Sequence, residues 1–435
     1  MKKSFVIIGA LALAALVAGP ALAADVQFRG ELRERMFSDS KVELNDDNAS
    51  NVYHDQRWRL RTVYTVNKNL RLTTQFDVHD GKDWGRSNEI YPTYSASRVR
   101  WNLEWDRAYM DIKTSWGDVQ VGYAGSGAWG TNFLQYNQEA NRIRVRTKLG
   151  GLQLIGLYEK WNEGDAGVSI SDGDIDAYSV GAVYKAGAME FGALYSLQMD
   201  KSGSTTANPL SNGADELTLH EIKPYFMGKF GAFNLEAQLH YQTGDIDYVS
   251  ASKASLDLTG LAYNVEGKLS LGPVTVEAGY AFRSGDDQGT SNEFEKYVLG
   301  QQNRNIKQNW GLLHILTNDD GDFGDLGGNG NFTRNEGGTD NGYKIIYAGL
   351  HFKPLKDLEA GVRFGFATAD QVATGQDDQI GLETDVFFTY TMYKNLSYQF
   401  IFAWLNAGDY WRQYQPGKAA PEDLYSTYQK LMLKF

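Results

Sequence analysis

The stretch Leu70-Arg71-Leu72-Thr73-Thr74-Gln75-Phe76-Asp77-Val78-His79 decides the fold. Leu70, Leu72, Thr74, Phe76 and Val78 share one parity, and Arg71, Thr73, Gln75, Asp77 and His79 share the other. A period of two puts these sets on opposite faces of a strand, one apolar and one wet. The same alternation returns over Phe233–Gln242, Val274–Phe282 and Leu396–Trp404. Such runs, 9 to 12 residues long, suit a tilted strand crossing a bilayer and exceed the ~5–6 residues usual in soluble sheets.

Between these strands the connectors alternate in length. Short ones fall near 67–69, 115–118, 150–151, 186–188, 230–232, 270–273, 354–357 and 393–395. Long ones fall near 37–55, 80–98, 125–140, 162–174, 200–215, 244–255, 284–341, 370–377 and 406–423. Eight short and nine long connectors imply 18 strands, with both termini on the short-turn side. An even strand number, short periplasmic turns and long outer loops describe an all-β fold: a transmembrane up-and-down antiparallel β-barrel of the bacterial outer membrane. The sheet must close, because an open edge in lipid leaves backbone donors and acceptors unpaired. Seven of the eight prolines lie in the leader, a loop or a turn. Pro224 interrupts the strand expected at Glu216–Lys229 and points to a bulge there. A parity slip between Trp105 and Ala108 points to another.

The competing fold is a soluble β-helix, sandwich or propeller, which has no use for an aromatic belt. Here the outward parity carries Trp58, Trp101, Trp105, Tyr158, Tyr184, Tyr195 and Trp404 near strand ends, where membrane interfaces collect amphipathic rings. The chain ends Leu431-Met432-Leu433-Lys434-Phe435. Leu431, Leu433 and the terminal Phe435 resemble the C-terminal signal by which outer-membrane proteins are recognised for barrel insertion.

Composition agrees with this reading. The 435 residues include 47 Gly, 26 Tyr, 21 Phe, 10 Trp and no Cys, with a mean hydropathy of −0.44. That is too polar for a helical membrane protein and too aromatic for disorder. Residues 1–23 read as a signal peptide: Lys2 and Lys3, an apolar stretch from Phe5 to Ala18, Gly19-Pro20, and the cleavage site Ala21-Leu22-Ala23. As a transmembrane anchor the apolar run is too short. Residues 24–435 then form a single barrel domain with 40 basic and 54 acidic side chains, a formal charge of −14. Without cysteine the chain has no disulfide framework, thiolate metal site or haem-attachment motif.

The wet parity of the N-terminal strands is rich in arginine. Arg29, Arg33 and Arg35 lie on the first strand with Glu31, Arg57, Arg59 and Arg61 on the second, and Arg71 on the third. Arg98 and Arg100 lie on the fourth, and Arg142, Arg144, Arg146 and Lys148 on the sixth. Neighbouring strands of an up-and-down barrel would bring these into one basic wall, and guanidinium forks match carboxylate and phosphate. Across the lumen Glu236, Glu266, Glu277, Glu359, Glu383 and Asp385 share the inward parity. Two readings stand: an anion track, or charges that solvate the lumen and pair among themselves.

A cylinder of 18 strands is roughly 35 Å across, too wide for side chains to fill. The third connector, Gly125–Ala140, and the seventh, Ser284–Asn341, are the candidates to fold inward. The seventh carries ten acids and four bases, including the run Asn318-Asp319-Asp320-Gly321-Asp322-Phe323-Gly324-Asp325. That spacing fails the EF-hand template, so a solvated acidic loop is the simpler reading. Gly125-Ser126-Gly127-Ala128-Trp129-Gly130 fits G-x-G-x-x-G, but no helix pattern follows it. No nucleophile elbow or H-E-x-x-H is present, and the six histidines are scattered. No catalytic residue, metal or cofactor is therefore expected.

Three segments resemble the alginate-export type of outer-membrane porin: Ala108–Gly122, Gly279–Asp287 before a very long loop, and Leu382–Asp385 through Asn406–Asp409. The resemblance implies 18 strands and an arginine-rich conduit for acidic polysaccharide. The expected role is passive diffusion of hydrophilic, anionic solutes. Expected partners are outer-membrane lipid and lipopolysaccharide, the barrel-assembly machinery and the solutes themselves, with no nucleic acid. The alternative is a barrel sheathing a partner such as a multihaem cytochrome.

Overall fold

Alternating parity, carried over strands of 8 to 17 residues, closes into a barrel in the computed structural model. The structure describes residues 25–41, 44, 51–83, 103–134, 139–164, 173–201, 216–248, 254–287, 289–290, 292–298, 312–317, 341–415, 417 and 419–435. In chain order the strands are β1 (Asp25–Ser40), β2 (Asn51–Asn67), β3 (Leu70–Asp83), β4 (Leu103–Lys113), β5 (Asp118–Gly125) and β6 (Glu139–Leu149). Then come β7 (Leu152–Asn162), β8 (Ile175–Ala186), β9 (Met189–Asp200), β10 (Glu216–Phe230), β11 (Phe233–Asp247), β12 (Leu256–Leu271) and β13 (Val274–Arg283). The last are β14 (Glu293–Phe294), β15 (Tyr343–Leu355), β16 (Leu358–Thr368), β17 (Gln379–Tyr393), β18 (Leu396–Ala407) and β19 (Leu424–Lys434).

Consecutive wall strands pair antiparallel, and β1 pairs with β19 from Glu31↔Lys434 to Ser40↔Tyr425. That seam closes the sheet. The two-residue β14 adds to β12 in parallel inside the seventh long connector, so the wall has 18 strands. The seam is tight at the C-terminus. Phe435 N–H donates to Gly30 O at 3.0 Å, Gly30 N–H donates to Phe435 O at 2.8 Å, and a Cβ on Gly30 would come within 2.6 Å of the Phe435 ring.

The bulge expected in the fourth strand is Asp106, the extra residue between Gln75↔Arg107 and Phe76↔Trp105. The bulge expected at Pro224 is not there. Ile222↔Tyr241 and Tyr225↔Gln238 keep one register across it, and Pro224 stays paired with Ala193 on β9. The missing N–H interrupts the ladder toward β11 without shifting it. Residues 1–23, Arg98, Arg100, Trp101 and the acidic run 318–325 lie outside the described residues.

Trp58, Trp105, Tyr184, Tyr195 and Trp404 are exposed on the outer surface, with Leu431, Leu433 and Phe435. Tyr158 is half-buried. The lumen is partly filled from above, and both candidate connectors contribute. In the third, Trp129 Nε1 donates to Lys223 O at 2.8 Å, and Thr131 donates from N and Oγ to Gln238 Oε1 at 2.7 and 2.8 Å. Gly130 makes this possible at φ +74°, where a Cβ would also meet the Tyr225 ring at 2.7 Å.

In the seventh connector, residues 312–317 dock on β17. Ile315 N–H and Leu316 N–H donate to the two oxygens of Glu383 at 2.6 and 2.8 Å, and His314 N–H donates to Asp385 Oδ2 at 2.9 Å. Leu312, Leu313, Ile315 and Leu316 join Phe133 and Leu134 in one buried cluster. Burying four such side chains contributes about 6–12 kcal/mol, and ordering six backbone residues costs about as much. The hydrogen bonds to Glu383 and Asp385, at about 0.5–1.5 kcal/mol each, therefore decide whether this plug stays docked.

Candidate functional site

The arginines of the basic wall divide into two groups according to what register places beside them. On the outer half of the barrel they are paired. Arg35 Nε donates to Asp55 Oδ1 at 2.8 Å, Arg57 pairs with Glu31, and Arg59 Nε donates to Asp77 Oδ1 at 2.7 Å with Asp106 at 3.4 Å. Arg142 pairs with Glu159 at 2.5 Å, both buried. Arg33 stands opposite Arg57 in register and has interactions of its own. A uniform basic wall does not form there, because interleaved acids neutralise it. Asp55, Asp77, Asp106, Arg107, Glu139 and Glu159 belong to this ladder, with Arg107 reaching Glu139 at 2.8 Å. None of these six belongs to the arginine pattern of the sequence. Asp77 was legible on the wet parity of the deciding stretch, but its partner is fixed by the Arg59↔Asp77 register.

Toward the short-turn side the arginines of this wall lie beyond ion-pair distance of acids among the described residues, with Asp111 across the sheet from Arg71 and Asp118 across from Arg146. Arg29 is exposed and donates to Gln27 at 3.2 Å, and Arg61 Nε donates to Gln75 Oε1 at 2.7 Å. Arg71, Arg144, Arg146 and Lys148 have no carboxylate within 4.0 Å among the described residues. Asp111 and Asp118 share this half, Asp111 accepting from Gln120 at 3.0 Å.

On β6 the free cations form a column. Alternate residues on a strand lie about 6.8 Å apart, so Arg144, Arg146 and Lys148 make a three-rung ladder. Arg144 and Arg146 line a cavity of about 400 Å³ between the third connector and β6–β11. Arg146 also lines a second cavity, of about 360 Å³, with Lys148, Gln153 and the turn Ser115–Asp118. One guanidinium thus faces both spaces. Ile155, Leu157, Val183, Leu194, Trp129 and Trp161 supply apolar surface to the larger cavity. Its other charges are compensated: Glu190 by Lys185 at 2.5 Å and by the Tyr225 hydroxyl at 2.7 Å, and Glu221 by Lys223 at 2.6 Å. What the arrangement leaves uncompensated is positive charge beside an apolar strip.

Three acids of the wall expected across the lumen, Glu266, Glu277 and Glu359, are compensated by cations. Glu266 meets Lys268 at 2.5 Å. Glu277 meets Arg363 at 2.5 Å and His351 at 3.0 Å. Glu359 meets Lys353 at 2.9 Å. Glu236 sits opposite Glu266 in register, and Glu383 and Asp385 are covered by the seventh connector. The glycine run 125–130 serves the inward turn of the third connector.

The architecture matches solved outer-membrane porins. A BenF-like porin from Pseudomonas fluorescens Pf-5 superposes with a TM-score of 0.55 at 14% identity, covering 94% of this chain and 98% of that one. OccK9 (OpdG) from Pseudomonas aeruginosa gives 0.55 at 15% identity, covering 94% and 99%. OpdK from Pseudomonas aeruginosa, solved with vanillate, gives 0.53 at 12% identity, covering 94% and 98%. At these identities the likeness is one of fold. No curated protein matches in sequence. A family model described as Gram-negative porin matches residues 10–302. The closed 18-stranded wall and this match over more than half its length agree: the chain belongs to the Gram-negative porin family, outer-membrane barrels through which solutes diffuse passively.

Proposed function

We propose that this porin favours small organic anions that carry an apolar body, drawn along the Arg144–Arg146–Lys148 column. The observation that carries the reading is the placement of Arg144 and Arg146, free of carboxylates within 4.0 Å among the described residues, on a cavity shared with Ile155, Leu157, Val183 and Leu194. A carboxylate would bind the guanidinium forks, while its hydrocarbon part loses water against the adjoining apolar strip. Vanillate, the molecule held by OpdK, has that chemistry. An acidic polysaccharide, the solute implied by the alginate-export resemblance, would meet the same arginines. The cavity's size and the inward segments of both connectors favour the smaller solute. Those segments also occupy space that a sheath would give to a partner.

Swelling of liposomes containing the purified protein tests this. Benzoate should enter faster than benzylamine of similar size, and the Arg144→Gln/Arg146→Gln variant should lose the difference. Equal entry of both in the wild-type protein contradicts the reading.

A further inference from the structure

A buried hydrogen-bond chain ties the two inward connectors together through the wall, and its donors and acceptors admit one arrangement. Gln238 Oε1 accepts from the N–H and Oγ of Thr131, in the third connector, at 2.7 and 2.8 Å. Its amide nitrogen must therefore face the other way, toward His240 Nε2 at 2.7 Å. That makes Nε2 an acceptor and puts the ring proton on Nδ1. Nδ1 lies 2.8 Å from the hydroxyl of Tyr297, in the seventh connector, and that hydroxyl donates to Glu221 Oε1 at 2.9 Å. Burial, then the Glu221 carboxylate, pushes the Tyr297 phenol well above its ordinary range, so it stays a donor. Gln238, His240 and Tyr297 are all buried.

We infer that Gln238 and His240 are positioning residues that couple the third and seventh connectors, and that protonation of His240 uncouples them. A second proton on the ring places an N–H against the Gln238 NH2 group. Relief requires a half-turn of the amide, which then presents NH2 to the Thr131 backbone N–H. Thr131 Oγ can still accept, but the amide NH2 is then turned against the Thr131 backbone N–H, and two buried donors facing each other are costly. The third connector then loosens at its innermost point, beside Arg144 and Arg146.

The groups facing the ring bear on its titration. From β10 come Glu221, 3.5 Å from Nδ1, and Lys223, which is salt-bridged to it. From the seventh connector comes the Tyr297 hydroxyl, with Arg283 Nε 3.4 Å from the Tyr297 carbonyl oxygen. The third connector presents the uncharged Phe133 ring, and β12 presents Ala262 in register. Burial opposes the imidazolium, Glu221 favours it and Lys223 opposes it.

The inference rests on channel function alone and not on the preference for anions. Its test is single-channel conductance of the full chain in planar bilayers, titrated reversibly across about pH 5 to 8, where imidazole changes charge. The wild type should show a rise in conductance or open-channel noise on acidification. His240→Gln, whose amide reaches the Nε2 position without titrating, should conduct at neutral pH like the wild type and lose the acid step. Gln238→Leu should show the loosened behaviour at every pH. A flat wild-type profile, or an acid step that persists in His240→Gln, overturns the inference. Wild-type channels that open at neutral pH keep either result separate from a failure of the porin reading.

Discussion

Replacing Arg146 by glutamate tests the cationic column at its middle rung, the one that lines both cavities. Two unit charges 4 Å apart in water interact by about 1 kcal/mol. A solute anion touching Arg146 therefore gains about that much, and Arg146→Glu turns the gain into an equal repulsion, a swing of about 2 kcal/mol. Screening reduces it. With a Debye length of about 10 Å in ~0.1 M salt the swing falls to about 1.3 kcal/mol, roughly tenfold in anion occupancy. With about 3 Å in ~1 M salt it falls to about 0.5 kcal/mol, little more than twofold. The next rung, Arg144, is about 6.8 Å away and adds a smaller, parallel effect. The assay is the reversal potential across a KCl gradient in planar bilayers, at both ionic strengths. Wild-type channels should favour chloride, and Arg146→Glu should cut the anion-to-cation permeability ratio by roughly that tenfold in dilute salt. Arg59→Glu should do less, because Asp77 and Asp106 already neutralise it. An unchanged ratio in dilute salt, or an equal change for Arg59→Glu, would show that the β6 column does not set the ion preference.

Other perturbations separate the parts of the barrel. Glu383→Ala removes the acceptor for Ile315 N–H and Leu316 N–H; at about 1–3 kcal/mol per buried donor left unsatisfied the plug should undock, raising conductance while the barrel's thermal unfolding stays put. Arg142→Ala leaves Glu159 buried and unpaired, costing about 3–5 kcal/mol in gel-shift unfolding, and Arg142→Ala/Glu159→Ala should recover most of it. Gly30→Val forces a side chain into the Phe435 ring and the Arg59 carbonyl, so the yield of closed, protease-resistant barrel should drop, whereas Gly156→Val, at a glycine with open space beside it, should leave it unchanged.

The wall was legible because two independent periods agree in the sequence: parity within each strand and alternation of connector length between strands. Asp106 shows how far local pattern reaches, since the slip between Trp105 and Ala108 marked a real extra residue. Pro224 shows its limit. A missing donor is visible in sequence, but whether the neighbours absorb it depends on the pairing on both sides. The ion-pair ladder was hidden for the same reason, because Asp77 meets Arg59 only through register. The plug carried a signal that strand reading passes over. Leu312-Leu313-His314-Ile315-Leu316 is an apolar run in an otherwise acidic loop, and such a run needs cover. Its acceptors, Glu383 and Asp385, looked like lumen charges because they keep the wet parity.

The chain has no native cysteine, so a thiol introduced at one position reports on that position alone. The most direct test of the central claim, that solutes pass beside the β6 column, is Arg146→Cys in a bilayer exposed to a membrane-impermeant, negatively charged thiosulfonate. Current should fall stepwise on modification, added benzoate should protect, and the lipid-facing control Ile143→Cys should show no effect. Modification of Arg146→Cys that leaves the current unchanged would contradict it.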